Sequence, residues 1–147
     1  MKSPVLIGWR EWVALPELGL SRIKAKIDTG ARTSALHAFS LHTPDEPVHH
    51  KQKVCFKVRS LTRQGTRRVI ECVADLVDIR EITDSGGHKE RRYVICTPLI
   101  VGQYSWPIEI TLTSRDNMRF KMLLGRTALS NRFIVDPGRS YLLQHKK

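Results

Sequence analysis

The sequence has no apolar run long enough to cross a membrane. Its 147 residues are 41% hydrophobic, yet no stretch of about 18 consecutive apolar residues occurs among them. Residues 1–3 lead into the polar and aromatic segment 9–12 rather than into the apolar core of a signal peptide. We therefore expect a cytoplasmic protein without membrane contacts. The length and apolar content fit a single domain that spans residues 1–147.

Cysteine is scarce, which argues against a disulfide-stabilised scaffold. The three cysteines, Cys55, Cys72 and Cys96, are an odd number, widely spaced and flanked by apolar residues. A disulfide framework normally shows an even number of cysteines in a short chain. We predict that all three are buried free thiols.

Motifs that hold a nucleotide or a catalytic zinc ion are also missing. The sequence has no Gly-rich loop followed by Lys and Ser/Thr, whose backbone N–H groups would cradle phosphates. It has no His-Glu-x-x-His pair either. The histidines are scattered, and His37 and His42 fall on opposite faces of an extended segment. We expect no cofactor and no metal, with the histidines at the surface.

Acidic residues are few, and the chain is strongly basic. It has 25 Lys and Arg against 14 Asp and Glu, a formal net charge of +11. Such a surface attracts polyanions, among them nucleic acid, ribosomal surfaces and acidic peptides. Residues 51–68 carry seven Lys or Arg and no acid. Because apolar and polar residues alternate at positions 54–59, a strand with a solvated basic face explains most of this stretch, and a dedicated nucleic-acid patch is the alternative.

Apolar residues recur at every second position in several segments, and this period of two indicates β-strands. Apolar residues alternate with polar ones over residues 23–27, 106–112 and 118–124. Residues 126–131 suit a short helix before a further strand at 133–135. We predict an all-β protein, and the pattern alone leaves a sandwich and a barrel equally open.

Two short motifs stand out within this pattern. Asp28-Thr29-Gly30-Ala31 follows an alternating strand, and Leu123-Leu124-Gly125-Arg126 lies far downstream. A carboxylate on a tight Gly-containing turn after a buried strand is held at an exposed point, where it is available for chemistry. An ordinary turn-stabilising aspartate is the alternative interpretation.

Both motifs resemble the retropepsin-type aspartic proteases. Residues 27–36 resemble the active-site segment of that family, and residues 122–129 resemble the strand and short helix near its C-terminus. The resemblance implies an all-β, single-domain retropepsin-like (acid protease) closed barrel with one short helix near the C-terminus. Residues 133–135 and 141–143 resemble the closing strands, of which the last joins the interface sheet of the dimer.

A narrower resemblance concerns residues 27–38. They resemble a group of small bacterial and archaeal proteins catalogued as ATP-dependent zinc proteases, some of them encoded beside a ribosomal-protein glutamate ligase. The resemblance implies a possible association with ribosomal proteins. The sequence itself carries neither the ATP nor the zinc motif that the name of the group suggests.

The retropepsin resemblance implies an aspartic endopeptidase that works as a homodimer on a peptide or protein substrate. Asp28 from each copy would supply one carboxylate of the catalytic dyad, with Thr29 bonding across the dimer and Gly30 allowing close backbone approach. Ser34 would buttress the aspartate. Ala31, within the catalytic loop, would support it. Three residues of the downstream motif would support it as well: Leu123, Leu124 and Gly125.

Retropepsins also cover their substrate with a hairpin flap. We expect the flap tip at Asp84-Ser85-Gly86-Gly87, within the hairpin 81–88. A second hairpin tip at 62–66 is the alternative, and a plain Gly-rich turn is a third interpretation.

The sequence departs from the viral pattern at Arg32, where viral retropepsins often carry an acid that pairs with the arginine after the C-terminal glycine. Arg32 and Arg126 are both cationic and cannot form that pair. Arg126 then needs Asp136 or a backbone carbonyl as its partner, or Arg32 contacts acidic substrate side chains. The 97 positions between Asp28 and Gly125 leave room for an additional strand at 51–60.

Two hypotheses of function follow. The first is an aspartic peptidase that uses a dyad of Asp28 from two subunits, with acidic or glutamate-rich substrates. The second is a non-catalytic binding module that keeps the fold and docks on polyanionic ribosomal or nucleic-acid surfaces.

Overall fold

Six β-strands close into a barrel in the computed structural model, which describes residues 3–44, 52–62, 64–83, 86–114 and 119–143. The described elements are β1 (Val5–Gly8), β2 (Arg10–Leu15), a 3-10 turn (Pro16–Leu18), β3 (Leu20–Ile27), β4 (Ser34–His37), β5 (Phe39–His42), β6 (Lys53–Leu61), β7 (Arg67–Thr83), β8 (Lys89–Val101), β9 (Tyr104–Thr113), β10 (Met122–Leu124), α1 (Arg126–Leu129) and β11 (Phe133–Asp136).

The barrel strands follow the order β2-β3-β10-β4-β9-β8, and antiparallel pairing of β2 with β8 closes the ring. The pairs Val13 with Val101 and Ala14 with Ile100 form this closure. β10 lies between β3, to which it is parallel, and β4, to which it is antiparallel. The predicted all-β closed barrel with one short helix is therefore confirmed.

Alternation along β3 explains how the barrel is filled. Ile23, Ala25 and Ile27 are buried, while Lys24 and Lys26 point outwards and are exposed. Side chains of a strand point alternately to its two faces, so a period of two places one apolar row in the core. The predicted strand at 106–112 behaves in the same way within β9, where its apolar residues are buried.

Three strands extend the sheet beyond the barrel, in the order β8-β7-β6-β5. β6 is the additional strand that the sequence predicted, and its Val54, Phe56 and Val58 are buried while the residues between them are not. The strand interpretation of the basic stretch is thus confirmed. Gly65 and Gly87, each with φ of 82°, lie in the two hairpin turns at the ends of β7.

β1 and β11 form a separate two-stranded parallel sheet. Leu6 and Ile134 are cross-strand partners, and their side chains are 42% and 58% exposed. This sheet therefore presents an apolar pair to solvent, although β1 and β11 also contribute residues such as Ile7 to the buried side.

Two strand predictions are wrong. The predicted strand at 118–124 is shorter, because only Met122–Leu124 pairs with neighbours; Phe120 is buried but lies in a bend, and residues 115–118 lie outside the described part. Residues 141–143 form no strand. The backbone N–H groups of Leu142 and Leu143 instead donate to the carboxylate of Glu11 at 2.9 and 3.1 Å.

Two predictions about burial also need correction. The three cysteines are free, but only Cys72 is buried, whereas Cys55 is half-buried and Cys96 is exposed. His37 is 2% exposed rather than at the surface, because β4 lies between β10 and β9 in the barrel wall and is buried on both of its faces. His42, at the end of the peripheral strand β5, is exposed as expected. Within the described residues, no helix is long and apolar enough to cross a membrane.

Candidate active site

Strand β3 delivers Asp28 to the start of a tight loop. The Asp28 backbone N–H donates to the Leu124 carbonyl at 2.8 Å, and the Asp28 carbonyl accepts from the Ala31 N–H at 3.2 Å. The side chain closes the same turn, because its Oδ1 accepts from the Gly30 N–H at 3.1 Å. The aspartate is half-buried and the next two residues, Thr29 and Gly30, are exposed. The backbone thus fixes a carboxylate that remains open to solvent.

The start of the short helix α1 is bonded to the end of this loop. The first residues of a helix have backbone N–H groups without partners inside the helix. The loop satisfies them, since the Arg126 N–H donates to the Ala31 carbonyl at 2.8 Å and the Thr127 N–H to the Arg32 carbonyl at 3.0 Å. The Thr127 hydroxyl adds a second bond to the Arg32 carbonyl at 3.0 Å. The loop and the helix therefore fix each other.

Gly125 makes this contact possible. A Cβ atom at Gly125 would lie 2.7 Å from the carbonyl carbon of Thr33 and 2.9 Å from the carbonyl oxygens of Ala31 and Arg32. All three are backbone atoms, which cannot turn aside as a side chain can. Glycine is needed here because of this close approach rather than for an unusual φ, which is −87°.

Ser34 reaches the same position from β4. Its buried hydroxyl accepts from the Gly125 N–H at 3.1 Å, while its carbonyl accepts from the Thr111 hydroxyl at 3.1 Å. The retropepsin resemblance implies that Ser34 buttresses the aspartate. Its hydroxyl is bonded to Gly125, next to Leu124, whose carbonyl accepts from the Asp28 N–H.

Arg126 contacts the Asp28 loop directly. Its Nη1 donates to the Thr29 carbonyl at 3.0 Å, so a backbone carbonyl, one of the two expected partners, takes the guanidinium. The other expected partner, Asp136, accepts from the Gly138 N–H at 2.9 Å. Arg32 is exposed beside the loop. Two cations therefore lie near the single aspartate that this loop provides.

Both candidate flap hairpins are present. β7 and β8 pair regularly from Asp78 with Val94 out to Thr83 with Lys89, and Gly86 and Gly87 follow at the tip. Asp84 and Ser85 lie outside the described residues. The alternative hairpin between β6 and β7 has its own turn, in which the Gly65 N–H donates to the Thr62 carbonyl at 3.0 Å.

A buried acid that sequence reasoning missed is Glu11. It is fully buried, and its carboxylate accepts from the N–H groups of Gly8, Leu142 and Leu143 at 2.8 to 3.1 Å. The available signal was its position, since Glu11 alternates in phase with the apolar residues Val13 and Leu15 of β2. Across the described ranges, no group of three His, Cys, Asp or Glu side chains is placed to hold a metal ion.

The chain is similar to known proteins over nearly its whole length. A family model described as "Retropepsin-like aspartic endopeptidase RimB" matches residues 6–146. A protein named "Probable alpha-L-glutamate ligase" from Shewanella pealeana is 42% identical over 144 residues, and one of the same name from Desulfotalea psychrophila is 44% identical over 132 residues. The alignments cover 96% and 90% of this chain but only 30% and 28% of those relatives. The chain thus spans less than a third of their length.

A solved structure resembles the fold. The crystal structure of a Legionella pneumophila protein of unknown function superposes with a TM-score of 0.77 at 24% sequence identity. The match covers 97% of this chain and 100% of that one. At this identity the likeness concerns the fold alone.

Proposed function

Because this chain belongs to the RimB-like family of retropepsin-like aspartic endopeptidases, we propose that it hydrolyses peptide bonds with a dyad formed by Asp28 from two copies. The observation that carries the proposal is the placement of Asp28. Its backbone is bonded to Leu124, while its side chain lies in a loop whose neighbouring residues are exposed. A carboxylate held in this way can meet its counterpart in a second copy without losing its position.

The chemistry requires two carboxylates so close that both cannot be ionised at once. The ionised one removes a proton from a water molecule, and the water oxygen attacks the carbonyl carbon of the scissile bond. The protonated one donates its proton to the carbonyl oxygen. Collapse of the tetrahedral intermediate then breaks the C–N bond, and the amine leaves with a proton from the dyad.

The remaining loop residues would support this step. We assign Thr29 to a hydrogen bond across the dimer, and Gly30 to close approach of the two loops. Arg126 would hold the loop through the Thr29 carbonyl, and Arg32 would contact acidic substrate groups. The hairpin tip 84–87 would cover the substrate as a flap and exclude water.

The two-stranded sheet of β1 and β11 is a suitable dimer surface. Its exposed apolar pair, Leu6 and Ile134, would be covered by the same pair of a second copy. A two-fold axis through such a sheet uses the same patch on both copies. The homodimer would bring the two Asp28 loops together.

We propose acidic, glutamate-rich peptides as the substrates. The net charge of +11 favours such partners, and relatives that include a region like this chain are named as probable glutamate ligases. The same proposal includes an association with ribosomal proteins, a cytoplasmic location and membership of the group catalogued as ATP-dependent zinc proteases. No step in it requires ATP or zinc.

A subunit-mixing experiment tests the shared dyad. Wild-type protein is mixed with a tenfold excess of Asp28→Asn, subunits are allowed to exchange, and cleavage of glutamate-rich and mixed peptides is measured from pH 3 to 8. If each site needs one Asp28 from each copy, mixed dimers are inactive and activity per wild-type chain falls about tenfold by mass action. Sedimentation on the same samples reports dimer formation.

The control is Glu71→Gln, whose exposed side chain lies on β7, outside both the Asp28 loop and the sheet of β1 and β11. Excess Glu71→Gln should leave the wild-type activity unchanged or higher. Undiminished activity in the presence of excess Asp28→Asn, under conditions where sedimentation shows exchange, would exclude the shared dyad. Equal activity of pure Asp28→Asn and wild type would exclude Asp28 from the chemistry altogether.

A further inference from the structure

A basic groove lies on the outer face of the sheet where β3, β6, β7 and the residues before β10 meet. It has a volume of about 540 Å³. Seven of its thirteen lining residues are Lys or Arg, and none of those thirteen described residues is acidic. Arg22 and Lys24 come from β3, Arg67 and Arg68 from β7, and Lys121 from the segment before β10.

Among the described residues, no ion pair neutralises the cations of this groove. Cations of β6 to β8 outside the groove do form ion pairs, as Lys53 does with Asp75 and Arg92 with Glu90. None of the seven groove cations forms an ion pair within the same described ranges. Like charges that converge without acidic partners repel one another, and an anion in the groove would relieve that repulsion.

The groove is separate from the candidate active site. β3 ends at Ile27, just before Asp28, and the groove residues Lys24 and Arg22 lie four and six residues before Asp28, which corresponds to about 13 and 20 Å at the rise of a β-strand. The outward residues between Arg22 and Asp28, Lys24 and Lys26, are basic and exposed. Lys24 and Lys26 are about 6.7 Å apart along the strand, and every second side chain of an extended peptide has the same spacing.

The aromatic residues of the groove favour a peptide over a nucleic acid. Sequence-tolerant binding of single-stranded nucleic acid uses free aromatic faces on which bases stack. The ring of Trp12 already stacks with Tyr141 at 5.8 Å between centroids and has the Arg22 guanidinium 4.1 Å from its centroid. Phe120 is 7% exposed. The groove therefore offers charge without a stacking surface.

We propose that this groove is an exosite for an acidic peptide segment, whose glutamate or aspartate side chains would bind about 13 to 20 Å from Asp28. The groove itself follows from the structure, and the choice of acidic peptide as ligand rests in part on the proposed function. A substrate tail held in the groove would run along the Lys24 and Lys26 row towards the catalytic loop. Long acidic substrates would then bind more tightly than short ones.

The test measures binding without cleavage. Fluorescein-labelled octaglutamate is titrated with Asp28→Asn protein at 0.15 M salt (the ionic strength at which charges about 8 Å apart are screened), and anisotropy gives Kd. On this background, Arg67→Gln/Arg68→Gln should weaken binding by about fivefold or more, as expected for the loss of two exposed charge contacts. The charge-retaining pair Arg67→Lys/Arg68→Lys should restore most of the affinity.

The matched control is Arg91→Gln/Arg139→Gln, which removes two exposed arginines outside the groove. It should change Kd by less than about twofold, since distant exposed charges are screened. An equal loss in both double variants would overturn the exosite in favour of general charge attraction. Tighter binding of an octauridylate, with the same dependence on Arg67 and Arg68, would overturn the peptide assignment in favour of RNA.

The two proposals can fail independently. Binding uses a protein that lacks the catalytic aspartate, so a groove that binds octaglutamate stands even if Asp28 proves unnecessary for cleavage. Conversely, Asp28-dependent cleavage with an unchanged KM for octaglutamate in Arg67→Gln/Arg68→Gln would leave the peptidase intact and exclude the exosite. Thermal unfolding of each variant confirms that the barrel is retained.

Discussion

Replacing Gly125 by alanine should separate the stability of the barrel from the position of Asp28. The added Cβ would lie 2.7 Å from the Thr33 carbonyl carbon and 2.9 Å from two carbonyl oxygens, of Ala31 and Arg32. Atoms at these distances overlap, so the loop or the helix must move by several tenths of an ångström. Overpacking of this kind costs about 1 to 3 kcal/mol, part of which is offset by about 0.4 to 1 kcal/mol from the stiffer unfolded chain.

The consequence for function should be larger than that for stability. The displaced atoms belong to the loop that carries Asp28, and a misplacement of about 1 Å can reduce a rate by about a hundredfold. For a chain of this size, each kcal/mol lowers Tm by about 2 to 4 °C. We therefore expect a folded Gly125→Ala protein with a modestly lower Tm and peptidase activity reduced by about ten- to a hundredfold.

The assays are urea unfolding and peptide cleavage on the same preparations, and the chain offers a matched control. Gly138 also lies in a turn, but a Cβ there would meet only the Asp136 carboxylate oxygen, at the ordinary distance of 3.5 Å. Gly138→Ala should change unfolding free energy by less than about 0.5 kcal/mol and leave activity intact. Wild-type stability and activity in Gly125→Ala would refute the argument that backbone contact at Gly125 positions the catalytic loop.

Two further predictions concern buried groups away from the loop. Glu11→Ala leaves three backbone N–H groups without their acceptor and should lower the unfolding free energy by about 3 kcal/mol or more. Glu11→Gln keeps one acceptor oxygen and should lose less unfolding free energy. An unchanged midpoint of urea unfolding for both variants would contradict this role of Glu11. Burial raises the pKa of Cys72 to about 11, because desolvation disfavours the thiolate, whereas Cys96 is exposed. At pH 8 the native protein should therefore label rapidly at Cys96 and at Cys72 only after unfolding, which mass spectrometry of the labelled peptides can decide.

The sequence was sufficient for elements whose structure depends on local pattern. The alternation before Asp28 predicts β3 correctly, because the buried face of a strand repeats every two residues. Other parts of the sequence likewise predict the helix α1 and the additional strand β6. The resemblance to retropepsins then supplied the closed barrel, which alternation alone could not distinguish from a sandwich.

Long-range pairing explains what sequence reasoning missed. Closure of the barrel through Val13 and Val101 joins residues far apart in the chain, and no local signal marks such a pair. The strand at 141–143, expected from the retropepsin resemblance, is absent for the same reason, since the carboxylate of Glu11, far away in the sequence, takes the N–H groups of Leu142 and Leu143. No local signal marks the bond between Ser34 and Gly125 either, because it spans 91 positions.

The endopeptidase name of the family and the ligase name of the relatives are compatible once the length of chain that each name describes is considered. The endopeptidase family model covers residues 6–146, which include Asp28, Ser34 and Gly125. The ligase name belongs to proteins of which only about 30% aligns with this chain. A name for a whole protein does not assign its activity to each part. The ligase name of those relatives is therefore compatible with the peptide hydrolysis that we propose for this chain, in which backbone hydrogen bonds fix the loop that carries the Asp28 carboxylate.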